Sequence, residues 1–212
     1  MNYSALIVAA GQGKRMNLGY NKVFLELRDG KTILESVVDI FMADTRCKQV
    51  VIVMSREEML QCVSLNETGK VVYVVGGKTR QESVCNGLMA INQDYVLVHD
   101  GARPYLDQSI IDRVIEGLKT SQACIPVVRV KDTIKVVKDG YVYETPVREN
   151  LVMTQTPQGF NSNLIIDCHK KARDNNDVFT DEAHAVEKYT NIKVKVVDGS
   201  YSNIKITNIE EI

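Results

Sequence analysis

The residues best suited to chemistry begin near the N-terminus. Ala9-Ala10-Gly11-Gln12-Gly13-Lys14-Arg15-Met16 follows an apolar run, and Lys22 comes seven positions after Arg15. Glycines just after a strand let the backbone turn sharply and aim N–H groups at an anion. Lys14, Arg15 and Lys22 supply positive charge for a triphosphate. Met16 stands where the third glycine of a dinucleotide-binding fingerprint belongs, and no G-x-x-x-x-G-K-[ST] loop is present. A glycine turn alone could be an ordinary strand-to-helix connection; the added cations favour phosphate binding.

Three more constellations follow. Val96-Leu97-Val98-His99-Asp100-Gly101-Ala102-Arg103-Pro104 puts a carboxylate at the end of an apolar strand, where α/β sheets bind ligands. Asp100 there can hold Mg²⁺ bridging phosphate oxygens, or can simply cap a turn, and His99 reads as a core histidine. Gly76-Gly77-Lys78-Thr79-Arg80-Gln81-Glu82-Ser83-Val84 is another glycine turn into a helix. Its backbone and Ser83 could read a base edge, or it could be a plain loop. The last constellation is dispersed: Arg148, Thr154-Gln155-Thr156-Pro157-Gln158, Thr180-Asp181-Glu182-Ala183 and Asn203-Ile204-Lys205-Ile206-Thr207. Thr180 or Asp181 is a natural helix cap. Lys205, inside an apolar run, is either solvent-facing or a ligand for a substrate phosphate.

These residues need a scaffold, and the periodicity describes one. Apolar strand-like runs at 3–10, 50–54, 71–75, 95–99 and 123–128 alternate with amphipathic helices at 32–43, 80–92 and 108–120. Strand alternating with helix implies parallel pairing through right-handed crossovers. Helices at 162–175 and 181–188 and strands at 193–197 and 203–207 close the chain. Between them, 132–155 breaks the rhythm, with Asp139-Gly140 joining two alternating runs as a β-hairpin. This segment is an arm that packs on a second subunit, or a surface flap. One domain spanning 1–212 is the economical reading.

Composition narrows the function classes. A net charge of −1 provides no global positive field to recruit nucleic acid. Hydrophobic residues at 44% and charged residues at 25% suit a globular domain. No signal peptide opens the chain and no run of about 18 apolar residues occurs, so no membrane partner is expected. Five scattered cysteines without C-x-x-C spacing suggest free thiols in a reducing cytoplasm.

Taken together and in order, the motifs A-A-G-x-G-x-R-M, H-D-x-A-R-P, D-T-x-K, T-P-Q, T-D-E-A and N-I-K-x-T resemble the 2-C-methyl-D-erythritol 4-phosphate cytidylyltransferase family from about Tyr3 to Thr207. The resemblance implies a Rossmann-like, three-layer α/β nucleotidyltransferase domain with a mostly parallel sheet and an inserted β-hairpin dimerisation arm. It implies CTP as substrate, Mg²⁺ as cofactor and a homodimer. Arg15 and Lys22 fall on the family's transition-state stabilisers. Ala9, Ala10, Gly11, Gly13, Gly77, Ser83, Asp100, Ala102 and Arg103 fall on the nucleotide site, with Asp100 also as metal ligand. Thr133, Arg148, Thr156, Thr180 and Lys205 fall on the methylerythritol phosphate site, where Arg148 and Lys205 position the attacking phosphate. Thr133 and Arg148 would serve the partner's site.

Some positions depart from the pattern. Asn21 stands where many members have proline, so the turn before Lys22 loses a rigid residue. Gly101 replaces a common alanine, and Lys78 an acidic residue of several members. A ribitol 5-phosphate cytidylyltransferase is the nearest rival, and the H-D-G-A-R-P and N-I-K-I-T wording favours the methylerythritol enzyme. A UTP- or GTP-using sugar-phosphate enzyme matches less of the chain. A non-catalytic nucleotide-binding module predicts missing triphosphate or acceptor ligands, and none is missing.

Overall fold

A computed structural model describes residues 1–11, 19–60, 62 and 69–211. Its main sheet runs in the order β10 (Lys195–Asp198), β5 (Ala123–Arg129), β9 (Gln158–Asn161), β4 (Tyr95–Asp100), β1 (Tyr3–Val8), β2 (Cys47–Met54) and β3 (Val71–Val75), with β8 (Val152–Thr154) added alongside β5. β1 (Tyr3–Val8), β2 (Cys47–Met54), β3 (Val71–Val75) and β4 (Tyr95–Asp100) form a parallel block. β1 has β2 on one side and β4 on the other, with Val8 beside both Val53 and Asp100. The C-terminal ends of β1 and β4 therefore flank a topological switch point, where open α/β sheets form a ligand crevice.

Both sheet faces are covered, so the central strands are apolar throughout rather than alternating. Val50, Ile52 and Met54 pack on one face with Leu34, Val37 and Phe41 of α1 (Ile33–Ala43). α4 (Gln108–Leu118) covers the same face through Ile110, Ile111 and Val114. Val51 and Val53 pack on the other face with Val84 and Leu88 of α3 (Arg80–Leu88), which follows the short α2 (Arg56–Met59) in sequence. α5 (Ser162–Asp174) and α6 (Glu182–Tyr189) complete that layer with Ile165, Cys168, Ala185 and Val186. This is the expected three-layer arrangement, and all five cysteines are free.

Several expected elements change in the structure. α3 stops at Leu88 instead of Asn92 because the Gln49 side chain takes over the next polar groups, donating to the Ala90 carbonyl at 2.9 Å and accepting from Asn92 N–H at 3.0 Å. β5 (Ala123–Arg129) does not pair with β4. The antiparallel β9 (Gln158–Asn161) lies between them, a strand the periodicity does not reveal. β10 (Lys195–Asp198) pairs parallel with β5. Asn203–Thr207, expected as a strand, is irregular; its Ile206 N–H bonds the Ala102 carbonyl at 2.8 Å rather than joining a ladder.

The arm is a separate two-stranded sheet of β6 (Val136–Lys138) and β7 (Tyr141–Glu144). Asp139 and Gly140 both have positive φ, 51° and 82°, as a two-residue type I′ turn requires. Its far boundary is earlier than residue 155, because β8 (Val152–Thr154) is hydrogen-bonded to β5 and Gln155 is buried.

Candidate active site

A cavity of about 620 Å³ opens over the ends of β1, β3 and β4. Ala9, Ala10 and Gly11 form one wall as the chain leaves β1. The Gly101 N–H donates to the Val8 carbonyl at 3.0 Å and the Ala9 N–H to the Val53 carbonyl at 2.8 Å, which locks the neighbouring strand exits together. Among the described residues, a Cβ on Gly11 would meet nothing within 4 Å. Asn21 replaces the rigidity of a proline by other means. Its buried side-chain amide donates to the Ala9 carbonyl at 2.6 Å and its oxygen accepts from Val23 N–H at 3.3 Å. Lys22 starts the 3₁₀ turn that Asn21 caps and lines the cavity. Its Nζ donates to the Ile206 carbonyl at 2.5 Å.

The second wall is the turn into α3. A Cβ on Gly77 would sit 2.3 Å from the Glu82 Cβ, so this close fold-back admits only glycine. Thr79 caps the helix by accepting from Glu82 N–H at 3.1 Å. Ser83, almost fully buried at the cavity wall, accepts from Gly77 N–H at 3.1 Å and donates to the Thr79 carbonyl at 2.9 Å. The loop that could read a base edge is thus held in shape by its own hydrogen bonds.

The floor is Asp100, with Gly101 and Ala102. Arg80 Nε and one terminal nitrogen approach Asp100 Oδ1 at 3.3 and 3.1 Å, while Lys205 Nζ donates to Oδ2 at 2.8 Å. Burial pushes the Asp100 carboxyl upward, but Arg80, Lys205 and Arg103 outweigh it and hold the group well below the ordinary carboxylate range. The side-chain oxygens of Asp100 are bonded by Arg80 and Lys205 rather than by turn N–H groups, so the residue does not act as a turn cap. Among the described residues lining the cavity it is the sole carboxylate. A Mg²⁺ ion fits such a donor set, since Mg²⁺ commonly takes one or two protein carboxylates and completes its shell with phosphate and water oxygens. His99 is a core residue: it is fully buried, its Nδ1 lies 3.0 Å from Thr156 Oγ1, and burial pushes its pKa down to about 4.

The structure gathers Ala9, Ala10, Gly11, Lys22, Gly77, Ser83, Asp100, Ala102 and Lys205 around this one cavity. Gly13 and Arg15 lie outside the described residues. Arg103 sits beside the cavity, donating to the Asn203 carbonyl at 2.7 Å. Thr156 is not in the lining. It is buried behind the β4 end, where its hydroxyl accepts from Asp100 N–H at 3.1 Å. Thr133, Arg148 and Thr180 are exposed and absent from the lining; Arg148 donates to the Lys131 carbonyl at 3.1 Å within the arm. Sequence reasoning missed Arg80, which lines the cavity and bridges Asp100 to the buried Glu182. A signal existed: an arginine at the first position of a helix opposes the helix dipole, so something else must hold it there.

A switch-point cavity with glycine turns, three lysines and one carboxylate held by cations defines a nucleotidyltransferase-type α/β enzyme. The chain belongs to the 2-C-methyl-D-erythritol 4-phosphate cytidylyltransferase (IspD) family, whose pattern it matches over residues 3–212. It is 44% identical over 215 aligned positions to the cytidylyltransferase of that name from Clostridium novyi, covering 98% of this chain and 92% of the relative. The crystal structure of 4-diphosphocytidyl-2C-methyl-D-erythritol synthase from Anaerococcus prevotii superposes with a TM-score of 0.90 at 32% identity, covering 99% and 92% of the two chains. The Francisella tularensis cytidylyltransferase structure gives 0.85 at 32% identity, covering 100% and 96%. Among the described residues no helix is long and apolar enough to cross a membrane.

Proposed function

We propose that the chain transfers the cytidylyl group of CTP to the phosphate of 2-C-methyl-D-erythritol 4-phosphate, releasing pyrophosphate. Membership of the family supports the reaction, and one structural observation carries its placement: Lys22, Lys205 and Asp100 converge on a single cavity beside the Gly77–Ser83 turn. An acceptor phosphate oxygen attacks the α-phosphorus; the new O–P bond forms as the bond to the β-phosphate oxygen breaks, and the electron pair leaves on pyrophosphate. The attacking phosphate is already anionic, so no strong general base is needed. The neutral, walled-in His99 suits that chemistry.

The work left to the protein is to bring two anions together and to neutralise charge at the reacting phosphate. In this reading Ala9, Ala10, Gly11, Gly13, Gly77 and Ser83 hold the nucleotide, and Arg15 and Lys22 neutralise the triphosphate. Asp100 would hold Mg²⁺, which would screen phosphate charge; Ala102 and Arg103 shape the ribose side. Lys205 and Arg148 orient the acceptor phosphate, with Thr133, Thr156 and Thr180 around the acceptor. Thr156 contributes through the β4 end it braces. The arm, exposing Val137, Tyr141, Val142 and Tyr143, packs on a second copy and delivers Thr133 and Arg148 to that copy's cavity. Free cysteines fit a reducing cytoplasm.

The test is pyrophosphate release with each of the four nucleoside triphosphates against methylerythritol phosphate and ribitol 5-phosphate. CTP with methylerythritol phosphate is the expected pair. Turnover of ribitol phosphate alone would overturn the reading.

A further inference from the structure

The geometry points to Arg80 as a positioning residue for the transfer reaction, held by Glu182 and acting through Asp100. This inference rests on the reading that Asp100 serves the nucleotide site. Arg80 is the first residue of α3, Glu182 the first of α6, and Asp100 the last of β4. One guanidinium thus joins the base-side turn, the T-D-E-A helix and the carboxylate at the cavity floor. Towards Glu182 the contact is bidentate, at 2.8 and 3.1 Å. Glu182 is 2% exposed, so this acid can be accommodated only with its partner in place. It has no access to the cavity itself, as it is absent from the lining.

The effect on Asp100 follows from lone-pair accounting. Each carboxylate oxygen has about two acceptor sites. Arg80 fills both on Oδ1, through Nε at 3.3 Å and a terminal nitrogen at 3.1 Å. Oδ2 accepts one hydrogen bond from Lys205 at 2.8 Å and keeps one site for a ligand; Arg103 Nε stays 3.8 Å away. With Oδ1 occupied, the carboxylate cannot swing round to grip Lys205 through both oxygens. Arg80 thereby fixes which oxygen meets the ligand and keeps Lys205 available to an incoming phosphate. An arginine suits this task because its rigid fork spans two carboxylates, whereas a lysine ammonium is a point charge.

The experiment removes the pair together, since a lone buried Glu182 could unfold the protein. The double variant Arg80→Met/Glu182→Leu replaces the buried pair by apolar groups of similar size, an exchange that commonly preserves folding. Arg80→Lys is the second variant and keeps the charge without the fork. Both should melt close to the parent and bind CTP without divalent cation within about two-fold, yet lose roughly 10- to 100-fold in kcat at saturating substrates. Introducing the same changes into Asp100→Asn should cost little more, because the effect runs through Asp100. Parental kcat in folded Arg80→Lys or in the double variant would overturn the inference, as would full additivity with Asp100→Asn. Asp100→Asn with unchanged kcat would instead sink the underlying reading of that carboxylate.

Discussion

The nucleotide cavity and the arm are built on opposite principles. The cavity is assembled inside the chain from strand ends buried on both faces, and its polar groups hold one another: Asn21 to Ala9, Ser83 to Gly77, Lys205 to Asp100. The arm is a two-stranded sheet with no ladder to the main sheet and with Tyr141 79% exposed. An isolated hairpin is marginal in water. One region carries its reason for being ordered within itself; the other is the hairpin that we propose packs on a second copy. The assigned residues divide in the same way, with Lys22 and Lys205 in the cavity and Thr133 and Arg148 outside it.

That contrast can be broken by experiment. The largest effect is expected inside the cavity: Lys22→Ala should lower kcat by about 10²–10³ with an unchanged melting temperature, and near-parental turnover would remove Lys22 from the reacting phosphate. The second test separates what a chain does for itself from what it does for a partner. Arg148→Ala and Lys205→Ala should each be nearly inactive alone. Mixed in equal amounts and allowed to exchange subunits, they should recover roughly a quarter of parental activity, the statistical share of intact sites in a two-fold dimer. No recovery would mean that the arm serves its own chain or none. A smaller effect is expected from Tyr141→Ser/Val142→Ser at the hairpin tip. Sedimentation should show a shift toward monomer, while helix and sheet signals stay unchanged.

The smallest effect concerns pH. His99 and His169 are buried and neutral, both with pKa values lowered to about 4, chiefly by burial and for His169 also by Arg80. Unfolding restores values near 6.5, so the unfolded chain binds more protons and stability falls as pH drops below about 6.5. Between pH 7 and pH 5 the loss should be on the order of 2 kcal/mol per histidine in urea unfolding. Both histidines belong to the main domain and none to the arm. Replacing His169, whose buried ring nitrogens have no hydrogen-bond partner among the described residues, by Leu should remove about half of that slope. An unchanged slope would contradict a neutral His169.

The parts legible from sequence are those governed by burial. β1, β2, β4 and β5 stand out because strands covered on two faces must be apolar throughout, and the hairpin stands out because Asp139-Gly140 suits two positive φ values. β9 was hidden because Gln-Gly-Phe-Asn has no period. Its residues answer to local constraints: a Cβ on Gly159 would sit 2.6 Å from Val114, and Gln158 donates to Asp181 at 2.9 Å to brace the start of α6. Asn203–Thr207 misled in the opposite direction. It alternates like a strand, yet Asn203 turns inward to bond the Thr156 carbonyl at 2.9 Å while Lys205 reaches Asp100. Lys205 was legible as an anomaly, a lysine in an apolar run. Arg80 was legible only as a charge misplaced at a helix start, because its partner Glu182 lies more than a hundred positions away.

The roots of the arm have a consequence for how such an enzyme can change over generations. The chain leaves the sheet at Arg129 and returns at Val152, and these residues are paired across neighbouring antiparallel strands, about 5 Å apart. Whatever lies between them can lengthen, shorten or be exchanged without shifting the register of β5 or the floor under Asp100. The fold therefore offers a grafting point: the sheet and its cavity can stay constant while the segment grafted between them is free to diverge.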